Sequence, residues 1–458
     1  MARGVFDRAG LKSVIKAYDI RGVVGEDIDE TFVRAVGEAF GALLRGEGET
    51  RLAVGRDMRP SSPQLARAFA EGAAAQGIDV SLLGLTSTDE LYFAAGSLDC
   101  AGAMFTASHN PAKYNGIKLC RAGARPVGQD TGLAQIADAL AEGIPDYDGK
   151  PGEIAERDVL VDYAAFLNKL VNVADSRPLV VAVDAANGMA GLTVPEVFAG
   201  LPLDVRELYF ELDGTFPNHE ANPLDPKNLE DLRQFVLDQG ADIGLAFDGD
   251  ADRCFVVDEK GEPVSPSTIC ALIAERYLAE RPGSTIIHNL ITSKAVPEIV
   301  KEAGGTPVRT RVGHSFIKAT MAERGAVFGG EHSAHYYFSD FFNADSGLLA
   351  ALHVLAQLGE KELPLSELKA RYQRYASSGE VNFQVADQKA ATEAVVERFR
   401  DRADGVDELD GVTVELPGGA WFNLRASNTE PLLRLNAEAP SQSSCREIVD
   451  EVTGILQG

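Results

Sequence analysis

A polar loop, Thr106-Ala-Ser-His-Asn-Pro111, places a candidate nucleophile, Ser108, directly after a short apolar segment. That segment, Ala101 to Phe105, consists of small and apolar residues and predicts a buried strand. A serine in this position is presented at the end of the strand. Because Ser/Asn/Pro turns commonly close strands, the loop alone indicates no more than a turn. The other polar clusters of the chain favour a reactive serine.

An acidic loop, Asp248-Gly-Asp-Ala-Asp-Arg253, carries three carboxylates at alternate positions beyond an apolar strand. Such carboxylates repel one another unless a divalent cation lies among them, and oxygen ligands select a hard ion such as Mg²⁺. A calcium-binding EF-hand is an alternative, since Glu259 falls at the twelfth loop position. However, Arg253 stands where the EF-hand turn needs glycine, and the flanking segments resemble strands. A solvated acidic turn is the remaining alternative. The predicted metal ligands are Asp248, Asp250 and Asp252.

A phosphate carried on Ser108 would be a further ligand of this metal, so the serine loop and the acidic loop each supply what the other needs. Phosphoryl transfer needs an in-line nucleophile, a metal, cations for the equatorial oxygens and a base for the attacking hydroxyl. Arg253 supplies a fixed cation. We consider two candidates for the base, Lys118 and His314. A lysine acts as a base only where burial or neighbouring cations lower its pKa, so a solvated strand lysine is the alternative for Lys118. His109 is expected to orient the serine loop.

Two further loops offer groups for binding a phosphosugar. The first, Arg425-Ala-Ser-Asn-Thr429, combines a guanidinium with hydroxyls, an amide and backbone N–H groups, which suits a phosphate. A polar hairpin turn is the alternative. The second, Gly330-Glu-His-Ser-Ala-His335, contains Glu331 and Ser333, which can bond to vicinal hydroxyls of a sugar. His353 lies within a predicted helix and is expected only to pack.

The elements around these loops alternate between helix and strand. The apolar spacing of Asp29 to Arg45 predicts a helix capped by Asp29, and the strand Leu52 to Gly55 follows. This alternation is typical of a mostly parallel α/β sheet. We also predict a hairpin turn at Asn115-Gly116, with Lys118 on the opposite strand face from its apolar neighbours and turned back toward Ser108. Two breaker-rich loops, residues 184–188 and 213–223, receive no chemical assignment.

Composition excludes several functional classes. The chain has 458 residues, 45% of them hydrophobic, which is typical of a globular protein with several domains. A formal net charge of −26 argues against nucleic acid or an anionic membrane as a partner. The 5 cysteines are scattered without a C-x-x-C pair, so we expect neither a disulfide scaffold nor a zinc site. No signal peptide or spanning segment is predicted, and we expect a cytoplasmic protein.

Four motifs, in this order and at these separations, resemble the α-D-phosphohexomutase superfamily, and the likeness spans most of the chain. They are Thr106 to Pro111, Asp248 to Arg253, Gly330 to His335 and Arg425 to Pro431. The resemblance implies three related α/β domains with mixed sheets and a smaller α+β C-terminal domain around a central cleft. The boundaries we expect give domains over residues 1–150, 151–257, 258–372 and 373–458.

The resemblance also implies roles for single residues. Ser108 is expected to be the phosphorylated serine, and Asp248, Asp250 and Asp252 are expected to bind Mg²⁺. Sugar hydroxyls would be bound by Glu331 and Ser333. The remaining substrate contacts are expected from Tyr18, Arg21, Arg425, Ser427, Asn428 and Thr429.

The phosphomannomutase/phosphoglucomutase branch is favoured by the Arg-Ala-Ser-Asn-Thr-Glu-Pro loop and by Gly313-His314-Ser315. The implied reaction interconverts mannose 6-phosphate and mannose 1-phosphate through phosphoserine and a hexose 1,6-bisphosphate, which also acts as activator; glucose phosphates are possible further substrates.

Phosphoglucosamine mutase is an alternative, although that branch usually has glycine at the position of Asn428. A phosphosugar hydrolase and a non-catalytic phosphosugar-binding protein are the others. Ala334 departs from the glycine usual in the sugar loop. The expected assembly is a monomer or homodimer.

Overall fold

The structure is a computed structural model that describes residues 6–426 and 432–457, except for the side chain of residue 314. The chain forms two compact units. The first runs through Val264 and also includes Ser333–Ser366, and the second comprises Ser265–His332 and continues from Glu367. Among the described residues, no helix is long and apolar enough to cross a membrane.

The first α/β region is built on a mixed sheet. Its elements are α1 (Arg8–Val14), β1 (Ile20–Val23), α2 (Glu30–Gly46), β2 (Arg51–Arg56), α3 (Ser62–Ala75), β3 (Asp79–Leu85), α4 (Thr88–Ser97), β4 (Ala101–Phe105), β5 (Tyr114–Arg121), β6 (Arg125–Pro126), α5 (Leu133–Glu142) and β7 (Ile154–Glu156). The strand order is β1-β5-β4-β2-β3-β7, with β6 on β5. Strands β4, β2, β3 and β7 are parallel, whereas β5 runs antiparallel to β4 and to β1.

The second α/β region repeats this plan with five strands. Its elements are α6 (Leu160–Leu170), β8 (Leu179–Asp184), α7 (Ala190–Val197), β9 (Leu203–Leu208), α8 (Glu230–Gln239), β10 (Ile243–Phe247), β11 (Cys254–Asp258) and β12 (Pro263–Val264). The strand order is β12-β11-β10-β8-β9. Because β8, β9 and β10 are parallel, the loops after their carboxyl ends emerge at one edge of the sheet.

The third region begins in the second unit. Its elements there are α9 (Pro266–Glu280), β13 (Thr285–Asn289), α10 (Ala295–Glu302), β14 (Thr306–Thr310), α11 (His314–Arg324) and β15 (Phe328–Gly330). Strand β13 pairs in parallel with both β14 and β15. The chain then contributes β16 (Tyr336–Phe338), β17 (Ala344–Asp345) and α12 (Gly347–Gly359) to the first unit, followed by α13 (Leu365–Ala370).

The C-terminal region is an antiparallel sheet with two helices. Its elements are β18 (Ala376–Gln384), α14 (Gln388–Phe399), β19 (Gly405–Asp407), β20 (Val412–Glu415), β21 (Trp421–Ala426), β22 (Leu432–Ala439) and α15 (Gln442–Gln457). The strand order is β18-β22-β21-β20-β19. Apolar residues of the strands and both helices form its core, which includes Phe399, Phe422 and Val452.

These observations confirm the predicted class of three α/β regions followed by an α+β region. Helix α2 begins after Asp29, whose carboxylate accepts a hydrogen bond from Phe32 N at 2.7 Å, as the predicted cap requires. Strand β4 has the predicted bounds, and all of its residues are buried. His353 lies in α12 and stacks on Phe338, as expected for a packing residue.

The hairpin turn predicted at Asn115-Gly116 is wrong. Both residues lie inside β5, and the chain reverses at residues 109–113 instead. The Asn115 side chain is buried and donates to the hydroxyls of Ser61 and Ser62 at 2.8 and 2.9 Å. Glycine is needed at 116 for strand packing, since a Cβ there would lie 2.4 Å from Ile20 O. A pair of residues typical of turns therefore serves tertiary contacts, which outweigh local turn preference.

Gly116→Ala should destabilise the first unit, because a Cβ would also lie 2.9 Å from the Thr106 backbone oxygen and two strands would have to move. We expect a loss of about 1–3 kcal/mol of stability, typical of overpacking. Gly46→Ala is the matched control, since nothing lies within 4 Å of its added Cβ at the end of α2. Thermal unfolding of both variants measures the effect. Equal unfolding temperatures for Gly116→Ala and the unsubstituted chain would contradict the packing argument.

Candidate active site

The predicted serine loop begins where β4 ends, and Ser108 is 5% exposed. The backbone at Ser108 has φ of +49°, in the left-handed region that non-glycine residues rarely adopt. Its amide donates to the hydroxyl of Thr106 at 2.9 Å. A strained conformation persists only where surrounding contacts impose it, and such residues are frequent at active sites.

A buried arginine that the sequence did not single out holds this loop. The Arg59 guanidinium donates to the backbone oxygens of four loop residues: Ser108 (2.9 Å), Asn110 (2.7 Å), Pro111 (2.9 Å) and Tyr114 (3.0 Å). Its Nε donates to Asp57 at 3.1 Å, and both side chains are fully buried. Bonds from a charged donor are stronger than neutral ones, so Arg59 fixes the backbone on both sides of the turn.

The acidic loop lies against the serine loop. The Ser108 hydroxyl donates to Asp248 Oδ2 at 2.7 Å. A Cβ on Gly249 would lie 2.5 Å from Ser108 O, so glycine is required for the two backbones to approach. Ala251, the second small residue of the motif, has φ of +60°. Gly249 thus permits the close approach of the two loops, and Ala251 adopts a left-handed backbone within the acidic loop.

The residues present fit a divalent cation. Asp248, Asp250 and Asp252 are at most 1% exposed, and each offers one oxygen within 4.8 Å of the others. Among the described residues, Oδ1 of Asp250 has no hydrogen bond. Burial raises the pKa of Asp248 well above its usual range, and the neighbouring carboxylates add to the rise although Arg253 opposes it. An added positive charge would relieve this repulsion, and the all-oxygen donor set suits a hard ion.

Arg253 connects the acidic loop to the serine loop. Its Nε donates to Asp248 Oδ2 at 2.9 Å, and its Nη2 lies 3.4 Å from the Ser108 hydroxyl. Nη2 also donates to His109 Nδ1 at 2.7 Å, so that nitrogen is an acceptor. Burial, then Arg253 and Arg21, hold the pKa of His109 well below its usual value. His109 is therefore neutral beside the serine, which agrees with an orienting role.

Lys118 joins the same cluster from β5. Its Nζ donates to Oδ2 of Asp250 at 2.7 Å and of Asp252 at 2.5 Å. Burial lowers the pKa of Lys118, but the two carboxylates outweigh burial and hold that pKa well above its usual value. Lys118 is thus a cation in this arrangement. The role of Lys118 as a base remains a prediction. That role requires that Lys118 first lose its hydrogen bonds to Asp250 and Asp252.

Two contacts in this cluster were not predicted. The Thr88 hydroxyl donates to Asp250 Oδ2 at 2.6 Å, and the Thr88 amide donates to the Asp250 backbone oxygen at 3.0 Å. His335 Nε2 lies 3.4 Å from Asp252 Oδ1. Thr88 begins α4 and lies 162 positions before Asp250, so no local sequence pattern predicts this contact. His335 lies in the predicted sugar loop, where roles were predicted only for Glu331 and Ser333.

Of the two predicted substrate contacts near the N-terminus, Tyr18 and Arg21, the structure joins Arg21 to the serine loop. Arg21 lies on β1, opposite Gly116 of β5. Its Nη1 donates to the Asn110 side chain at 2.5 Å. Tyr18 is 37% exposed. Arg21 is therefore tied to the turn that carries Ser108.

The predicted sugar loop is divided between the two units. In the first, the Ser333 hydroxyl lies 3.0 Å from His335 Nδ1. Ala334 has φ of +65°, in the left-handed region that favours glycine. In the second unit, Glu331 is 2% exposed and accepts from Asn289 Nδ2 at 3.3 Å and from Gly313 N at 3.1 Å.

The predicted phosphate loop lies largely outside the described residues. Arg425 is the penultimate residue of β21, and its Nη1 lies 3.9 Å from Asp410. Ser427, Asn428 and Thr429 are outside the description, as is the side chain of His314. The structure thus places Ser108, the acidic loop and Lys118 together. The roles predicted for Arg425, Ser427, Asn428, Thr429 and His314 remain predictions.

Comparison with known families matches nearly the whole chain. The four domain models of phosphoglucomutase/phosphomannomutase match in chain order: α/β/α domain I over residues 12–144, domain II over 161–261, domain III over 265–375 and the C-terminal domain over 380–455.

Similar proteins cover almost the same length. A protein of Xanthomonas campestris named for phosphohexose mutases is 40% identical over 450 residues, which are 97% of this chain and 99% of the relative. A phosphomannomutase of Escherichia coli is 40% identical over 437 residues, 93% of this chain and 94% of the relative.

A solved structure agrees with these matches. It is a phosphoglucomutase/phosphomannomutase family protein from Burkholderia thailandensis, 33% identical, with a TM-score of 0.89 and 97% of each chain covered. With four domain models in order, relatives at 40% identity and this shared fold, the chain belongs to the phosphoglucomutase/phosphomannomutase family.

Proposed function

We propose that this chain is a phosphomannomutase, an isomerase that interconverts mannose 6-phosphate and mannose 1-phosphate through a phosphorylated Ser108. The observation that carries the proposal is the Ser108 hydroxyl at 2.7 Å from a buried carboxylate of the acidic loop, with Arg253 alongside. The names of the E. coli and X. campestris relatives support the reaction class. We further propose the four domains at residues 1–150, 151–257, 258–372 and 373–458.

The first half-reaction transfers the phosphoryl group from Ser108 to the free hydroxyl of a hexose 1- or 6-phosphate. The bond between phosphorus and Ser108 Oγ breaks, and a bond from phosphorus to the sugar oxygen forms. The sugar hydroxyl gives its proton to a base, for which Lys118 and His314 are the candidates. Arg253 faces the equatorial oxygens of the moving group, where a fixed guanidinium stabilises developing charge.

The second half-reaction returns the other phosphate of the hexose 1,6-bisphosphate to Ser108. The intermediate must turn end for end, so both ends of the sugar have to fit the same distal sites. We assign Glu331 and Ser333 to the sugar hydroxyls, and Tyr18 and Arg21 to the region beside the serine loop. Arg425, Ser427, Asn428 and Thr429 would hold the phosphate that is not reacting.

We propose Mg²⁺ as the cation held by Asp248, Asp250 and Asp252, with a phosphate on Ser108 as a further ligand. When bound, Mg²⁺ neutralises charge on the phosphoryl oxygens. The small-molecule partner is a phosphosugar, and hexose 1,6-bisphosphate is the proposed activator because it rephosphorylates Ser108. A phosphoglucosamine mutase would act on a different substrate. A hydrolase would transfer the phosphoryl group to water, and a binding protein would show no turnover.

The reaction is tested with mannose 1-phosphate and, separately, glucose 1-phosphate, each with catalytic bisphosphate. We expect hexose 6-phosphate to form with a higher kcat/KM from mannose 1-phosphate than from glucose 1-phosphate. We expect no stoichiometric release of inorganic phosphate. A coupled assay for each product measures both. Free phosphate as the main product would support a hydrolase and contradict the mutase.

Ser108→Ala should lose mutase turnover by about 10⁴-fold or more, because the group that carries the phosphoryl is removed. Ser13→Ala, at an exposed serine of α1, is the control and should keep full activity. Initial rates of the two variants under saturating substrate make the comparison. Full turnover by Ser108→Ala would overturn the assignment.

Mg²⁺ should raise the unfolding temperature of the metal-stripped protein, because a cation relieves repulsion among three buried carboxylates. At a hundredfold excess over its Kd, a ligand stabilises by about 2.7 kcal/mol. Asp250→Asn should lose most of this response, whereas Asp204→Asn, at an exposed aspartate on β9, should keep it. Differential scanning fluorimetry measures the shift. The same Mg²⁺ response in Asp250→Asn and Asp204→Asn would place the cation elsewhere.

A further inference from the structure

The two breaker-rich loops without assigned chemistry meet in the first unit. The loop at residues 184–188 follows β8, and the loop at residues 213–223 lies against it. The imidazole of His219 connects them: its Nε2 lies 2.9 Å from Asp184 Oδ2, and its Nδ1 lies 2.9 Å from the Glu220 backbone oxygen. Asp184 is 1% exposed and the His219 side chain 12%. The contact is therefore partly buried, with its carboxylate shielded from solvent.

Both partners of this imidazole are hydrogen-bond acceptors. A carboxylate and a backbone carbonyl oxygen have no proton to give, so each ring nitrogen must donate. Only the doubly protonated imidazolium carries two N–H groups, and neutral histidine would lose one of the two bonds. The geometry therefore assigns a positive charge to His219.

The charged surroundings agree with this assignment. Burial lowers the pKa of His219, but Asp184 outweighs burial and raises that pKa above its usual value, with a smaller contribution from Asp231. The ring of Tyr209 packs edge-on against the imidazole at 5.5 Å, and its hydroxyl donates to Asp231 at 2.8 Å. Among the residues that the structure describes, the groups around His219 thus include the carboxylates of Asp184 and Asp231, the Tyr209 ring and the Glu220 carbonyl.

The loop at residues 213–223 reaches Arg59, which holds the serine loop. A Cβ on Gly214 would lie 2.5 Å from Arg59 Cα, and the Phe216 ring centroid is 5.1 Å from the guanidinium carbon. Arg59 in turn donates to the Ser108 backbone oxygen at 2.9 Å. His219 is thus linked to the nucleophile through the backbone of residues 214–219 and then through the contacts of Gly214 and Phe216 with Arg59.

Both loops contain residues that need such restraint. Ala186, Asn187 and Phe216 have φ of +48°, +56° and +53°, all in the left-handed region. The Asn218 side chain donates to the Asn187 side chain at 2.9 Å and ties the loops together. Met189 N donates to Gly249 O at 2.9 Å and attaches the first loop to the acidic loop. Strained segments of this kind hold one conformation only while their contacts persist.

We propose that the His219–Asp184 ion pair is a proton-dependent positioning device for the phosphoserine loop. With its proton, His219 holds residues 213–223 on Arg59, and Arg59 holds Ser108 in line for transfer. The proposal rests on the proposed function of Ser108. His219 and Asp184 are positioning residues, because neither contacts the Ser108 hydroxyl.

The kinetic test compares His219→Gln, Asp184→Asn and the double variant with the control Asp204→Asn, which removes an exposed ion pair to Arg206 on β9. Misplacing a nucleophile by about 1 Å costs up to about a hundredfold, so we expect kcat to fall about tenfold or more in each single variant. KM for the hexose phosphate should change less than about twofold. The double variant should be no slower than the slower single variant, because the two residues act as a pair.

The pH profile separates positioning from simple destabilisation. His219 is charged below its folded pKa, so its contribution is complete at low pH and is lost as pH rises through that value. Between about pH 6 and 9, kcat of the wild type should contain a falling limb that is missing in His219→Gln. A wild-type limb that persists unchanged in His219→Gln, or kcat equal to that of Asp204→Asn, would overturn the proposal.

Two readouts remain independent of turnover. Nitrogen NMR of histidine-labelled protein should show both His219 nitrogens protonated at neutral pH. Amide hydrogen exchange over residues 106–114 should be faster in His219→Gln than in Asp204→Asn. A neutral His219, or equal exchange, contradicts the positioning device even if Ser108 is active. If the wild type has no mutase activity while both readouts behave as expected, the proposed function fails and the coupling of the loops stands.

Discussion

The buried carboxylates of Asp248, Asp250 and Asp252 impose the constraint on which the rest of this site depends. Three negative charges at the end of β10 are stable only if positive charge surrounds them. The chain supplies Arg253 and Lys118 within hydrogen-bonding distance, and the open oxygen of Asp250 leaves room for a cation. The same charge balance also places a fixed cation, Arg253, beside the Ser108 hydroxyl.

Backbone restraint is the second physical requirement. Ser108, Ala251 and Ala334 all occupy the left-handed region, at the serine, acidic and sugar loops. Each such residue costs of order 1–3 kcal/mol, which surrounding contacts must offset. At Ser108 the cost of the strained backbone is offset by Arg59, whose N–H groups donate hydrogen bonds to backbone oxygens of the loop. Strain and a buried guanidinium thus act together to present one hydroxyl.

Sequence predicted those parts of the site that lie in contiguous motifs. The strand before Ser108, the acidic triplet and its glycine follow from local spacing, and the structure places them together. Arg59, Thr88 and His219 act through residues distant in sequence, so no local pattern predicts their contacts. The Asn115-Gly116 turn failed for the same reason, because buried contacts of β5 outweighed a local preference.

Lys118 illustrates how a pKa depends on what occupies a site. Beside two free carboxylates its pKa is held well above the usual value. The sequence offered Lys118 as one of two candidate bases, and in this arrangement the side chain is a cation bonded to Asp250 and Asp252, two of the proposed metal ligands. Its state in the working enzyme therefore depends on the occupancy of the acidic loop.

The central claim is that Ser108 carries the phosphoryl group, and phosphopeptide mapping tests it most directly. Protein incubated with hexose 1,6-bisphosphate is digested before and after a chase with mannose 6-phosphate, and the phosphate is located by mass spectrometry. The account predicts one phosphate on Ser108 that the chase removes. A phosphate on another residue, or an active enzyme with no phosphate on Ser108 at any stage, would contradict it.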